Sequence, residues 1–252
     1  MPATLKRLNE VYPSDVKSTV PLGLRINDML YTTSLNAADP VTGEISGDIR
    51  EQTAKTLQNL KDMVEKAGGT LDNVARGVGY CTTPDDRTPV DEVWMEMFPN
   101  EKDKPAMKVL LGELPAGQLV RLDALVLLGA KRTRIDIPNV SAHDPTIKIG
   151  NWVITSRCHG NDQATGQIVE GGLDAEAKQT LTNLSTLIKL AGGSDSNIVQ
   201  INTYGREADY IPAAKAAFEV HFPDPAKRPA LNQQVNFVSS RMQVAMEMFA
   251  VL

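Results

Sequence analysis

The feature that most constrains this chain is that it says the same thing twice. Asp39-Pro40-Val41-Thr42-Gly43-Glu44 returns as Asp162-Gln163-Ala164-Thr165-Gly166-Gln167, and Thr56-Leu57-Gln58-Asn59-Leu60 returns as Thr180-Leu181-Thr182-Asn183-Leu184. Ala67-Gly68-Gly69, Phe98-Pro99 and Pro105-Ala106 return as Ala191-Gly192-Gly193, Phe222-Pro223 and Pro229-Ala230, all at an offset near 124 residues. A constant offset over that span means two copies of one folding unit, each of ordinary domain size. The expected division is a first domain over 1–130, a linker over 131–144 that is polar and proline-flanked, and a second domain over 145–252.

Within each copy the hydrophobic period alternates. Met29 to Thr33 and Trp152 to Thr155 read as buried strands, rich in β-branched and aromatic residues. Each leads into a turn carrying Asp, Thr and Gly. Helices follow, with apolar stripes Thr53, Leu57, Leu60, Val64 and Ala177, Leu181, Leu184, Ile188. Gly68 and Gly192 stop them, since glycine adopts the left-handed cap without a Cβ penalty. Strands are expected at Val74 to Cys81 and Ile198 to Tyr204, then helices at Val90 to Phe98 and Ala213 to Phe222. Leu119 to Leu128 and Met242 to Val251 close the copies as apolar strands. The fold class is therefore α/β of the α+β kind: two tandem domains, each a mixed β-sheet with two helices on one face. The bare sheet faces need covering, which predicts a homo-oligomer.

Composition excludes several function classes. A net charge of -5 argues against a nucleic-acid binder, which relies on a basic surface. No apolar run approaches the length of a membrane helix, and the first residues carry no signal-peptide core, so a cytoplasmic location is the expectation. Cys81 and Cys158 have neither disulfide-framework nor zinc-like spacing, and His143, His159 and His221 are scattered, so no metal is expected. The paired glycines follow helices, which is the wrong order for a phosphate loop. The methionines read as packing.

The turn Asp39 to Glu44, the helix Gln52 to Leu60, the stretch Ala67 to Val74, the helix Val90 to Phe98 and the Pro-Ala dipeptides occur in one order, twice. In this they resemble the reactive-intermediate deaminase (Rid, also called YjgF) family, from about Pro21 to Leu252. The resemblance implies chorismate-mutase-like domains in a trimeric arrangement, with ligand clefts between neighbouring domains. It implies hydrolysis of enamines and imines to ketones and ammonia without a cofactor, and a small-molecule carboxylate substrate clamped by an arginine after Pro-Ala. A guanidinium suits that task because it grips a carboxylate bidentately. Here Met107 and Leu231 stand at the arginine's place, and Arg121 and Ala245 stand where the family has an acidic residue on the closing strand.

The functional groups instead gather in copy two, at Arg157-Cys158-His159, where copy one has the quieter Ser34-Leu35-Asn36. Arg157 is the candidate relocated carboxylate clamp, against a solvated surface arginine. His159 is a candidate acid/base, since its ordinary pKa suits proton transfer near neutrality, against a structural histidine. Cys158 is a candidate nucleophile, against a small buried apolar residue. His143, aligned with a family tyrosine at the cleft mouth, and Arg121 are candidate substrate contacts. The alternatives are a linker histidine and a strand arginine paired with Asp123 or Glu113. His221 is expected to be structural. The function these residues favour is a deaminase acting on an enamine or imine carboxylate, with an aminomuconate-type dicarboxylate best suited to extra arginines. The alternative is a non-catalytic ligand-binding or regulatory protein on the same fold.

Overall fold

The computed structural model describes residues 5–7, 22–140, 146–236, 238 and 241–252. The chain divides into two compact units, Met1–Arg132 and Thr133–Leu252. In the first, strands β1 (Leu5–Arg7), β2 (Gly23–Ile26), β3 (Met29–Thr32), β4 (Val74–Cys81), β5 (Ala106–Leu111) and β6 (Val120–Leu127) form one six-stranded sheet, ordered β1-β2-β3-β6-β4-β5. Helices α1 (Ile49–Lys66) and α2 (Arg87–Met97) belong to the same unit. The second unit repeats this plan with β7 (Arg132–Ile135), β8 (Thr146–Ile149), β9 (Trp152–Thr155), β10 (Ile198–Gly205), β11 (Ala230–Val235) and β12 (Ala245–Val251). Its sheet is ordered β11-β10-β12-β9-β8-β7, with helices α3 (Gly172–Leu190) and α4 (Tyr210–His221). Among the described pairings, β4–β5 and β10–β11 are parallel, and each of these pairs is joined through a helix. The two copies read from the sequence are thus two copies of one sheet-and-helix unit, with helices packed on one face.

The apolar stripes do what their spacing requires. Leu57, Leu60 and Val64 of α1 pack with Val93 and Trp94 of α2 and with Leu122, Ala124 and Val126 of β6. Leu181, Leu184 and Ile188 of α3 pack with Ala217 and Phe218 of α4 and Met246, Met248 and Ala250 of β12. On β6 and β12 alternate residues therefore face the helices, and Arg121, Asp123, Ala245 and Glu247 fall on the opposite, helix-free face. α1 is started by a capping box in which Asp48 accepts from Glu51 N–H while the Glu51 carboxylate accepts from Asp48 N–H. Gly68 and Gly192 end α1 and α3 at φ of 86° and 94°. The closing strand of copy two begins at Ala245, three residues later than its apolar run suggests, because Gln243 and Val244 N–H are capped by the Glu176 carboxylate.

The copies have also traded volumes. A Cβ on Gly77 would lie 2.7 Å from the Trp94 ring, so the indole occupies the space that Ile201 fills in copy two, where the smaller Phe218 replaces the tryptophan. Large and small have exchanged sides of one contact, which keeps packing density constant.

Part of the stretch expected as a linker over 131–144 is regular structure. Arg132–Ile135 is a strand at the edge of the second sheet, and Arg132 is buried. Its guanidinium donates to the carbonyls of Leu71, Val74 and Asp103, lies 3.4 Å from the Asp103 carboxylate and sits 5.7 Å from the Phe98 ring centroid. A polar composition concealed this, because the buried group is a charge whose partners are backbone carbonyls. Among the described residues no helix is long and apolar enough to cross a membrane. Lysine cannot satisfy three divergent carbonyls, so Arg132→Lys should lower unfolding stability by on the order of 3 kcal/mol. A surface change such as Lys131→Arg should leave denaturant unfolding unchanged.

Candidate active site

Strand β9 stops being regular just where the functional residues begin. Ile154 pairs with Phe249, and the next pairing is Cys158 with Met246, bonded both ways at 2.7 and 2.9 Å. Three residues on one strand thus oppose two on the other, which is a β-bulge. Copy one has the same bulge between Tyr31–Leu125 and Leu35–Leu122. A threonine hydroxyl fixes each: Thr32 accepts from Ala124 N–H and Thr155 from Met248 N–H, both at 2.8 Å. An asparagine on the helix then holds the chain beyond. Asn59 donates to the carbonyls of Asn36 and Ala38, and Asn183 to those of His159 and Asn161. The following Asx turns at Asp39 and Asp162 accept backbone N–H bonds that hold both carboxyls below the usual range.

Arg157 and His159 are half-buried on this clamped segment. The position matching Arg157 in copy one is Ser34, whose hydroxyl donates to Asp123 at 2.7 Å across the helix-free face. The carboxylate matching Asp123 in copy two is Glu247. His159 Nδ1 lies 3.4 Å from the Val244 carbonyl, and a proton placed there makes Nε2 the basic nitrogen. Cys158, the candidate nucleophile, sits in the core. It is 6% exposed, its Sγ belongs to the apolar core, and its counterpart Leu35 is a core residue too. The paired bridge fixes alternate residues on opposite sides, so the thiol is turned into the helix-covered layer.

Arg121 donates to Gln118 Oε1 at 2.6 Å, so its partner is an amide rather than Asp123 or Glu113. It lies in copy one, on the face that also carries Asp123. His143 falls outside the described residues. His221 joins α3 to α4: its Nε2 is 2.8 Å from Ser185 Oγ, which donates to Asp195 at 2.6 Å. The hydroxyl proton goes to the carboxylate, and His221 Nε2 also lies 3.4 Å from the Asp195 carboxylate, so the ring uses one nitrogen for both contacts and this is a structural clasp and no nucleophilic relay. Cys81 is buried, with its thiol pushed up to about 11 by desolvation and by Asp86.

Two groups escaped the sequence reading. Glu247 is fully buried on the helix-free face, and its Oε2 accepts from Tyr204 Oη at 3.1 Å and Asn202 Nδ2 at 3.4 Å. It is the single polar residue in the apolar run from Val244 to Val251, and that was the available signal. The second is Lys108, one residue beyond Met107 and 6% exposed. Met107 packs on the helix side with Val90 and Val109, so the alternation of β5 turns Lys108 to the other face. Leu231 packs against the core of copy two likewise. Both positions where the resemblance expects arginine thus point into apolar layers.

Glu176 supports the site from behind. Its burial raises its pKa from the ordinary glutamate value, against the opposing effect of Gln243 and Val244 N–H. In copy one neutral Gln52 does the same work, accepting from Leu119 N–H. A raised folded pKa favours the protonated folded state, so this contribution is full below the unfolded value near 4.5 and is lost as pH rises through the folded one. Glu176→Gln should therefore flatten the decline of Tm above that pH and raise Tm at pH 7, read by thermal unfolding across a pH series.

Comparison with known proteins places this architecture. The family model described as endoribonuclease L-PSP matches residues 14–127 and again 136–252. A RutC family protein of Pyrococcus abyssi is 31% identical over 116 residues, covering 43% of this chain and 90% of that protein. A 2-iminobutanoate/2-iminopropanoate deaminase of Dermatophagoides farinae is 26% identical over 86 residues, covering 34% of this chain and 67% of that protein. Among solved structures, Escherichia coli TdcF with bound serine superposes on 48% of this chain and 96% of its own, at 21% identity and a TM-score of 0.44.

Proposed function

The chain belongs to the endoribonuclease L-PSP family in both halves, and from that premise we propose that it is a cytoplasmic, cofactor-free hydrolytic deaminase of enamine or imine carboxylates. The observation that carries this reading is the clamped bulge of copy two, which presents half-buried Arg157 and His159 together where copy one presents Ser34 and Asn36. Deaminase activity is named for a relative, the 2-iminobutanoate/2-iminopropanoate deaminase. The family description names a ribonuclease, but a net charge of -5 does not favour RNA as substrate.

The chemistry asks mainly for placement. The enamine takes a proton at carbon to give an iminium, water adds to the C=N bond, and the carbinolamine expels ammonia to leave a ketone. Arg157 holds the substrate carboxylate through its planar fork. His159 Nε2 accepts a proton from the attacking water and returns it to the departing nitrogen. Arg121, on the first unit, and His143 remain proposed substrate contacts, and an aminomuconate-type dicarboxylate is the proposed substrate. Cys158 serves packing. Assembly into a homo-oligomer with threefold packing of domains, as the family resemblance implies, belongs to the same proposal.

A second reading is supported by Met107 and Leu231, whose side chains lie in apolar layers: a ligand-binding protein that has kept the fold without the chemistry. One assay separates the two. Ammonia release from freshly generated 2-iminobutanoate and 2-aminomuconate should exceed the spontaneous rate, and Arg157→Ala should lower kcat/KM at least about tenfold, while Cys158→Ala should retain activity. Wild-type protein that leaves the spontaneous rate unchanged would favour the binding reading.

A further inference from the structure

The strand end beside the clamped bulge is built differently in the two copies. In copy one β6 pairs with β4 from its first residue, Val120 opposite Cys81, and Asn36 stands on the segment beyond the bulge. In copy two the matching ladder ends one residue sooner, at Tyr204 opposite Ala245, and Val244 lies outside it. Side chains then meet both backbone polar groups of Val244. Its N–H donates to Glu176 Oε1 at 3.2 Å, and its carbonyl lies 3.4 Å from His159 Nδ1.

The group that grips this strand end has changed with it. Gln52 of copy one uses both halves of its amide: Nε2 donates to the carbonyls of Gly47 and Gly117, and Oε1 accepts from Leu119 N–H. Glu176, buried in copy two, turns both oxygens to backbone amides, accepting from Gln243 N–H at 3.0 and 3.1 Å as well as from Val244. Helix α3 also comes close. A Cβ on Gly160, next to His159, would lie 2.5 Å from Glu176 Cγ and 2.7 Å from the Glu176 carbonyl oxygen, whereas copy one has Ala37 at the matching position. Asn183 of the same helix holds the His159 carbonyl at 2.9 Å. The shorter ladder, the carboxyl, the glycine and the histidine thus occur together in one copy and are all absent from the other.

We propose that Glu176 is a positioning residue for His159: by holding the Val244 N–H, its buried carboxyl keeps the Val244 carbonyl aimed at Nδ1, so the neutral ring carries its proton there and Nε2 is left basic. The hydrogen bond at one imidazole nitrogen decides which tautomer the ring adopts. An imidazole side chain left to itself favours the opposite tautomer, so the carbonyl must be held to select this one. The catalytic meaning rests on the deaminase reading of His159, while the tautomer is a property of the chain without substrate.

The test is NMR of the full chain carrying isotope-labelled histidine nitrogens, at a pH where the rings are neutral, with His159→Asn identifying the His159 signals. Wild type should show a protonated Nδ1 and an unprotonated Nε2. Glu176→Met, which fills similar volume beside Gly160 and offers no oxygen, should move the proton largely to Nε2. Glu176→Gln, which can accept as Gln52 does, should keep it on Nδ1. Under the deaminase reading, Glu176→Met should also lower kcat severalfold with KM unchanged. A wild-type ring protonated at Nε2 overturns the inference without any variant. So does a folded Glu176→Met protein with the wild-type tautomer, or a Glu176→Gln protein that behaves like Glu176→Met. A wild type with the expected tautomer, and the expected response to both variants, that releases no ammonia above the spontaneous rate overturns the deaminase reading and upholds the positioning.

Discussion

Everything distinctive about this chain depends on one extra residue in one strand. Between Ile154 and Cys158, and between Tyr31 and Leu35, three residues face two, and the ladder resumes with both bonds made. The surplus residue cannot join the ladder, so its side chain is redirected and the strand bends. The Thr32 and Thr155 hydroxyls satisfy the amides the bulge would orphan, and Asn59 and Asn183 reach from the helices to hold the next carbonyls. Without these bonds the bulge would leave buried polar groups unpaired, at a cost of about 1–3 kcal/mol each. The fold keeps the bulge rigid, so whatever stands at its crest is presented in one direction.

Duplication allowed the crest to differ while its support stayed the same. The supporting groups are matched in both copies: threonine, asparagine, the Asx turns and the glycine helix stops. At the crest, serine and asparagine face arginine and histidine. Where support did change, it changed in compensated pairs. Trp94 against Gly77 corresponds to Phe218 against Ile201, and Gln52, which accepts from Leu119 N–H, corresponds to Glu176, which accepts from the matching Gln243 N–H and from Val244 N–H as well. Such pairing is expected of a core that tolerates exchange of volume and resists its loss. Met107 and Leu231 fit the same account, since each adds to an apolar layer where a guanidinium would have stayed unsolvated.

The parts of the fold governed by period and by turn chemistry were legible from sequence. The duplication, the stripes of α1 and α3, the helix stops at Gly68 and Gly192 and the helix-on-one-side architecture all follow from local spacing. Three features were hidden, each for a nonlocal reason. Arg132 looked like a linker residue because its partners, the carbonyls of Leu71, Val74 and Asp103, carry no side-chain signature. Glu247 shows in sequence only as one polar residue in an apolar run, because its partners Tyr204 and Asn202 lie on a neighbouring strand. Cys158 looked reactive between Arg157 and His159, but strand alternation sends adjacent residues to opposite faces, and adjacency in sequence is then separation in space.

Central to the account is that the bulge of the second copy, rather than the strand after Pro-Ala, supplies the cation for a carboxylate ligand. The most direct measurement is a crystal structure of the full chain with 2-oxobutanoate, the ketone that deamination of 2-iminobutanoate would leave. The account predicts its carboxylate within about 3.2 Å of the Arg157 guanidinium nitrogens. A carboxylate held elsewhere, with Arg157 making no contact to it, would contradict the account.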